Sequence, residues 1–319
     1  MTLNDLKNKG TVSVMYHYVR DNDAEKTPHL SSLYFEDFKS QLDWLQSEFQ
    51  LLTYAEMNDC IVKHKPFPAN TFMLTFDDGL KDHYKYVFHE LKKRKLEGIF
   101  YVNSSIYEKA FPMAVHITHF ILEKIGAQEF TKIIVAKLKK HNVSIETTHL
   151  DDVYRYDDIN YSHIKQLMNY SLNYAVRDKI IEELFFDFYQ NPAEFCDHIY
   201  LSLDELKEMH EGGMIIGNHT HSHKVLSRLS REEQHHEIKK CSDFLKKELN
   251  IDNASFCFPY GHHHTFNGIT LELLSNLNLS SAFTTKRETT SANVYGRFML
   301  QRFDTVDLLK FHPNSRAKV

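Results

Sequence analysis

The apolar positions of this chain follow two rhythms. Short β-prone runs occur at Thr11–Tyr16 (TVSVMY) and Thr71–Phe76 (TFMLTF), and the second ends in Asp-Asp-Gly, so it reads as a buried strand that stops at a turn. Between them, Phe35, Phe38, Leu42, Leu45 and Phe49 recur every three or four residues, which predicts a helix with one apolar face. A helix through Tyr84–Lys95 and a strand at Gly98–Val102 follow. The style repeats after residue 200. Ser202 with Glu205, and Ser230 with Glu233, form capping boxes that open two more helices, the second running to about Leu249. Met214–Gly217, Ser255–Phe258 and Ser281–Thr284 read as short strands. Strands alternating with helices predict a parallel α/β sheet or barrel.

Residues 111–197 break this rhythm. His119, Phe120, Leu122, Ile125, Phe130, Ile133, Ile134 and Leu138 keep helical spacing, as does Ile180–Tyr189, while strand signals fade. The expected organisation is one α/β domain built from 1–110 and 198–319. A mostly helical insertion at 111–197 would serve as a lid or subdomain, with an exposed acidic loop at Asp151–Asp158.

Composition narrows the function. At 319 residues the chain can bury about 75% of its unfolded surface, so it needs no disulfide or metal to fold. Lys and Arg total 38 against 43 Asp and Glu, a net charge of −5 that gives no broad footprint for nucleic acid. The basic runs Lys92–Lys95 and Lys137–Lys140 read as solvated helix faces. Cys60, Cys196, Cys241 and Cys257 are scattered and form no C-x-x-C pair, which suggests unpaired thiols in a reducing compartment. The start, MTLNDLKNKG, has no apolar h-region, and no apolar run reaches membrane-span length. The expectation is a cytoplasmic, soluble protein.

Two clusters carry candidate chemistry. In Thr75–Gly79 (TFDDG), an apolar strand delivers two carboxylates to its C-terminal end, where α/β folds place their sites. Adjacent acids repel. A metal ligated by one would relieve this and leave the other free as a base, although for Asp-Asp-Gly taken alone a simple Asp-Gly turn with solvated acids is the favoured reading. In Gly217–His223 (GNHTHSH), His219 and His223 are four apart, which on a helical turn would aim both imidazoles the same way. Two His and one carboxylate with open positions suit a hydrolytic metal. A His-rich surface loop is the plain alternative in a chain with 21 His, and His262–His264 reads as such a loop. His221, between the two, would point away.

Taken in order, T-F-D-D-G, G-N-H-T-x-S-H-x-x-L (Gly217–Leu226) and F-x-F-P-Y-G (Phe256–Gly261) resemble the NodB-homology polysaccharide deacetylases, carbohydrate esterase family four. The likeness covers roughly 11–105 and 200–305. It implies a distorted (β/α) barrel of fewer than eight units. It also implies that Asp78, His219 and His223 bind a divalent metal, Zn2+ by default, and that Asp77 is the general base that activates the attacking water. The backbone N–H of Tyr260 would help hold the oxyanion.

The chain departs from that pattern in two places. No C-terminal Leu-x-His supplies a general acid: Met299-Leu300 is followed by Gln301, and His312 lies beyond the expected last strand. Val14-Met-Tyr-His-Tyr-Val19 instead resembles the N-terminal Y-H-x-V element of a permuted branch that includes poly-N-acetylglucosamine deacetylases, which makes His17 the candidate acid. The usual Arg before Pro-Tyr is also absent, Ser255-Phe-Cys-Phe standing there, and Arg302 is the candidate to pair with Asp77. Tyr16, Phe76, Tyr101 and Tyr260 are candidates for a sugar platform, core packing being the plain alternative for Phe76 above all.

The activity so implied is removal of an N-acetyl group from an amino sugar in a glycan or glycan precursor. A lipid-linked precursor at the inner face of a membrane is the expected form of substrate. The rivals are an N-deformylase or other amide hydrolase of the same fold, and a catalytically degenerate glycan-binding protein. A metallophosphoesterase ranks last, for want of a second ligand set.

Overall fold

Among the described residues, eight parallel strands form the main sheet: β1 (Thr11–Tyr16), β2 (Gln50–Leu51), β3 (Thr71–Phe76), β4 (Ile99–Val102), β5 (Ile215–Asn218), β6 (Phe256–Cys257), β7 (Ala282–Phe283) and β8 (Phe303–Asp304). A computed structural model describes residues 2–21, 32–143, 159–291, 296–309 and 311, with helix but no side-chain placement for 159–161. The strand order is β8-β1-β3-β4-β5-β6-β7, with β2 pairing on the start of β3.

β1 and β3 form the longest ladder, in register from Thr11↔Thr71 to Tyr16↔Phe76, and all twelve side chains are buried. Strands covered on both faces need uninterrupted apolar or β-branched runs, and these two have them. The last segment draws the sheet round. Leu300 bridges to Phe283 of β7, while Phe303 pairs with Val14 of β1. This is the curled, distorted (β/α) barrel expected from the sequence.

The connecting helices form where caps and apolar stripes coincide. Thr53, Ser202 and Ser230 each accept from the backbone N–H three residues on, and the Glu at that third position returns a bond, so two orphaned donors are satisfied at once. Phe35–Glu48 buries Phe38, Leu42 and Leu45, as its spacing predicted, together with Gln41 and Trp44. Gln41 is buried because its carbonyl accepts from Tyr16 (3.1 Å) and Thr305 (2.8 Å). Tyr84–Lys95 is helical too, but its first turns, His83–Phe88, wind as a π-helix before the α-helix His89–Arg94. Two short strands that the sequence did not signal, Val19–Arg20 and Leu33–Tyr34, pair apart from the main sheet.

Two compact units are present. The first holds Met1–Asn22, Ser31–Glu108 and Asp197–Val319, and carries the sheet. The second consists of Asp23–Leu30 and Lys109–Cys196. Among its described residues it has helices and no strand: Ala114–Lys140, kinked at Gly126, Ile159–Gln166, Tyr174–Phe188 and the start of Pro192–Ile199. It packs a core of its own around Ile117, Ile121, Phe130, Ile134, Ile180, Leu184 and Phe185. The acidic loop expected at Asp151–Asp158 lies outside the described residues, as does His312. Among the described residues no helix is long and apolar enough to cross a membrane.

Candidate active site

β3 delivers Asp77 and Asp78 to its C-terminal end. The ladder continues one step past the strand, Asp77 N–H donating to the Tyr16 carbonyl at 3.0 Å, and then the chain turns sharply. Asp78 (φ 76°) and Gly79 (φ 61°) are both left-handed, and a side chain at 79 would bring its Cβ to 3.1 Å from Val102 Cγ1. A left-handed Asp costs on the order of 1 kcal/mol or more, and such strain collects where a side chain must be aimed. The turn separates the two carboxylates.

Asp78 Oδ1 lies 3.4 Å from Nε2 of His219 and 3.4 Å from Nε2 of His223. The spacing argument reached this pair for the wrong reason. Residues 219–223 form no helical turn; they are an irregular loop leaving β5, with Thr220 (φ 69°) and His223 (φ 55°) left-handed. Asn218 ties the loop down. Its amide donates to the Ile238 carbonyl and to Ser242 Oγ, both at 2.9 Å, and its side-chain oxygen accepts from Thr220 N–H at 2.8 Å. Thr220 Oγ1 then accepts from His223 N–H at 3.1 Å. The result sets the two imidazoles 4.9 Å apart at 70°. Where β5 passes Tyr101, a Cβ on Gly217 would fall 2.5 Å from the ring, so glycine is required.

His219 Nδ1 is 2.8 Å from the Cys257 carbonyl, an acceptor only, so Nδ1 carries a proton and the other ring nitrogen, Nε2, is the one turned toward Asp78. Burial opposes the charged form of this imidazole, yet its surroundings hold its pKa well above the ordinary value. Cys257 beside the ring, the hydrogen bond to Asp78 and the charge of Asp77 all act in that upward direction. Asp78, His219 and His223 are all buried, and their ligand atoms lie within 4.8 Å of one another. Two imidazole nitrogens and a carboxylate oxygen fit a divalent cation of the zinc type. A second group, Asp77, His219 and Cys257, is equally close. It suits a cation poorly, because a guanidinium already sits between its acid and its sulfur.

That guanidinium is Arg302, which is fully buried. Nη1 and Nη2 donate to Asp77 Oδ1 and Oδ2, both at 2.8 Å, a two-pronged pair. Nη1 also meets Thr75 Oγ1 at 3.1 Å, Nε donates to the Thr284 carbonyl at 3.1 Å, and Nη2 reaches Cys257 Sγ at 3.0 Å. Burial alone would raise the Asp77 carboxyl; the charges of Arg302, His219 and His17 outweigh it and hold the group down at about 2. His17, just past β1, places Nε2 3.9 Å from Asp77 Oδ2, and its side chain is 39% exposed. Its carbonyl is fixed by His83 Nε2 at 2.8 Å, and burial pushes the His83 imidazole down to about 4, keeping it neutral.

Tyr260 and Gly261 form another left-handed pair, φ 63° and 65°, held by Thr285, whose N–H donates to the Gly261 carbonyl at 3.0 Å. The Tyr260 ring, half-buried, stands 4.8 Å from that of His223. The other three candidate platform aromatics are core. Phe76 stacks on Phe100 (4.5 Å) and Tyr16 (5.2 Å), and Tyr101 is fully buried with its hydroxyl on Ser255. His221 is buried with Nδ1 on Ser104 Oγ at 2.8 Å.

A sequence profile described as Polysaccharide deacetylase matches residues 64–282, more than half of the chain. The chain belongs to the polysaccharide deacetylase family. A candidate polysaccharide deacetylase of Bacillus subtilis (strain 168), YxkH, is 24% identical over 140 residues; the match covers 43% of this chain and only 42% of that relative's own length. Among solved structures, the Streptococcus pyogenes deacetylase PplD in complex with acetate superposes with a TM-score of 0.57 at 19% identity, covering 92% of this chain and 91% of the other. IcaB from Ammonifex degensii gives 0.57 at 18%, covering 96% of each chain. At such identities these structures speak for the fold.

Three site residues had no sequence signal strong enough to assign. Cys257 reads as one scattered thiol, His83 as one of many histidines, and Asn218 as a letter inside a motif. Only Asn218 was recoverable, because an Asn between a strand and a His loop is suited to bonding the backbone beyond it.

Proposed function

We propose that this deacetylase hydrolyses the N-acetyl group of an amino sugar in a glycan or glycan precursor, with a divalent cation held by Asp78, His219 and His223. The observation that carries the reading is the split between neighbouring acids: Asp78 Oδ1 stands 3.4 Å from two imidazole nitrogens, while Asp77 is clamped by a buried arginine. A bound cation of this class acidifies water and polarises an amide carbonyl.

The remaining steps fall to the chain. A carboxyl held near 2 is ionised at any working pH, so Asp77 presents an unprotonated oxygen to the attacking water. Arg302 fixes its plane. The Tyr260 N–H, in a turn whose backbone is set before substrate arrives, is assigned to the developing oxyanion, where preorganised donors act most strongly. His17, half open at the end of β1 and 3.9 Å from Asp77, is assigned to protonate the leaving amine. This placement also supports membership of the branch with an N-terminal Y-H-x-V element. The acyl carbon leaves as acetate and the sugar keeps a free amine. The acetate-bound PplD structure supports the choice of acyl group.

A degenerate binding protein would have little reason to keep a fully satisfied Arg–Asp pair in its core, since a buried pair costs desolvation that apolar residues avoid. The test is acetate release from N-acetylglucosamine oligomers by metal-loaded wild type beside Asp77→Asn. Release by wild type and none by the variant supports the reading. Equal release by both removes Asp77 as the base, and formate release from N-formyl substrates alone favours the deformylase.

A further inference from the structure

Arg302 is buried, and every one of its five N–H donors has a partner. Two go to Asp77, one to Thr75 and one to the Thr284 carbonyl. The fifth, on Nη2, meets Cys257 Sγ at 3.0 Å. The sulfur also lies 3.5 Å from Asp77 Oδ2, so it touches both halves of the clamp. Cys257 is itself fully buried, and its register in the sheet is fixed by the pairing Cys257↔Phe283. The position of the sulfur is therefore set by the strand.

The same residue faces the other half of the site through its main chain, since its carbonyl takes the His219 Nδ1 proton. One two-residue strand thus holds a metal-side imidazole by backbone and the base's arginine by side chain. We propose that Cys257 is a positioning residue: its sulfur is the fifth acceptor of Arg302 and holds the guanidinium, and through it the Asp77 carboxylate, in the orientation that hydrolysis uses. The proposal rests on the reading that Asp77 is the base.

A buried cysteine that only packs behaves as a small hydrophobe. Packing and acceptance therefore predict opposite rankings. If Cys257 only fills space, Cys257→Val and Cys257→Ala are tolerated better than Cys257→Ser. If it accepts the fifth proton, serine recovers most of what alanine and valine lose. The expected result is a fall in kcat of about tenfold for Cys257→Ala, the size of one lost hydrogen bond to a charged group. KM should stay within about twofold and metal content should match wild type, with serine recovering most of the loss. Unchanged kcat in Cys257→Ala, a serine variant no better than alanine, or a loss confined to KM or metal content would each overturn the proposal.

A second measurement does not depend on turnover. In urea unfolding, Cys257→Ala should destabilise the wild-type chain but not an Arg302→Met chain, where no donor is left to orphan. Equal destabilisation in both backgrounds contradicts the proposal. If Cys257→Ala fails to fold, folding of Cys257→Ser is the expected outcome, and failure of both contradicts the proposal. Should wild type release no acetate at all, the reading of the reaction fails, while the urea cycle still reports on the contact.

Discussion

Asp77 and Asp78 are neighbours in sequence and nearly opposite in circumstance. Both are buried at the end of β3, and both are carboxylates. Asp77 is gripped on both oxygens by Arg302, whose charge holds its pKa at about 2 despite burial. Asp78, rotated away by its left-handed backbone, offers Oδ1 to two imidazole nitrogens. Identical groups acquire different tasks from what surrounds them. On the proposed reading, one is the base, locked in place, and the other completes a ligand set.

Asp77→Asn breaks the comparison on its stronger side. It should lower kcat for acetate release by about a thousandfold, within the range of a lost general base, measured with metal supplied in excess. His17→Gln removes the proposed acid but leaves both carboxylates as they are, and should cost about a hundredfold in kcat. Arg302→Lys keeps the charge and loses the two-pronged geometry. It should lower kcat about tenfold, and Lys should fail to replace all five donors of the buried arginine. A further effect, on stability and not on kcat, lies beside the clamp. The His83 imidazole, pushed down to about 4 by burial against about 6.5 in an unfolded chain, stays neutral in the fold while the unfolded chain takes up a proton. Its stabilising contribution is complete above about 6.5 and is lost as pH falls toward 4, on the order of 3 kcal/mol in all. Urea unfolding of His83→Gln across that window should show a shallower loss of stability than wild type.

Much of the fold was legible because it rests on local rules. Thr11–Tyr16 and Thr71–Phe76 match β1 and β3 residue for residue, and the Ser202 and Ser230 capping boxes form as their spacing requires. Two-residue strands such as Gln50–Leu51 carry no usable periodicity, and pairing across the sheet alone creates them. At the site, the residue types were legible and the geometry was not. The four-residue spacing of His219 and His223 suggested a helix, whereas a loop fastened by Asn218 and Thr220 brings the rings together. Tyr16 and Tyr101 looked like a sugar platform because sequence cannot show that neighbouring strands cover both faces. The contact of Arg302 with Cys257 spans 45 positions in the chain, and only the sheet register reveals it.

The most direct test is elemental analysis of wild type, Asp77→Asn and Asp78→Asn, purified alike and reconstituted with zinc. About one divalent ion per chain in wild type and Asp77→Asn, with loss in Asp78→Asn, is what the division of labour between these neighbours predicts. Equal retention or equal loss in the two variants would contradict it.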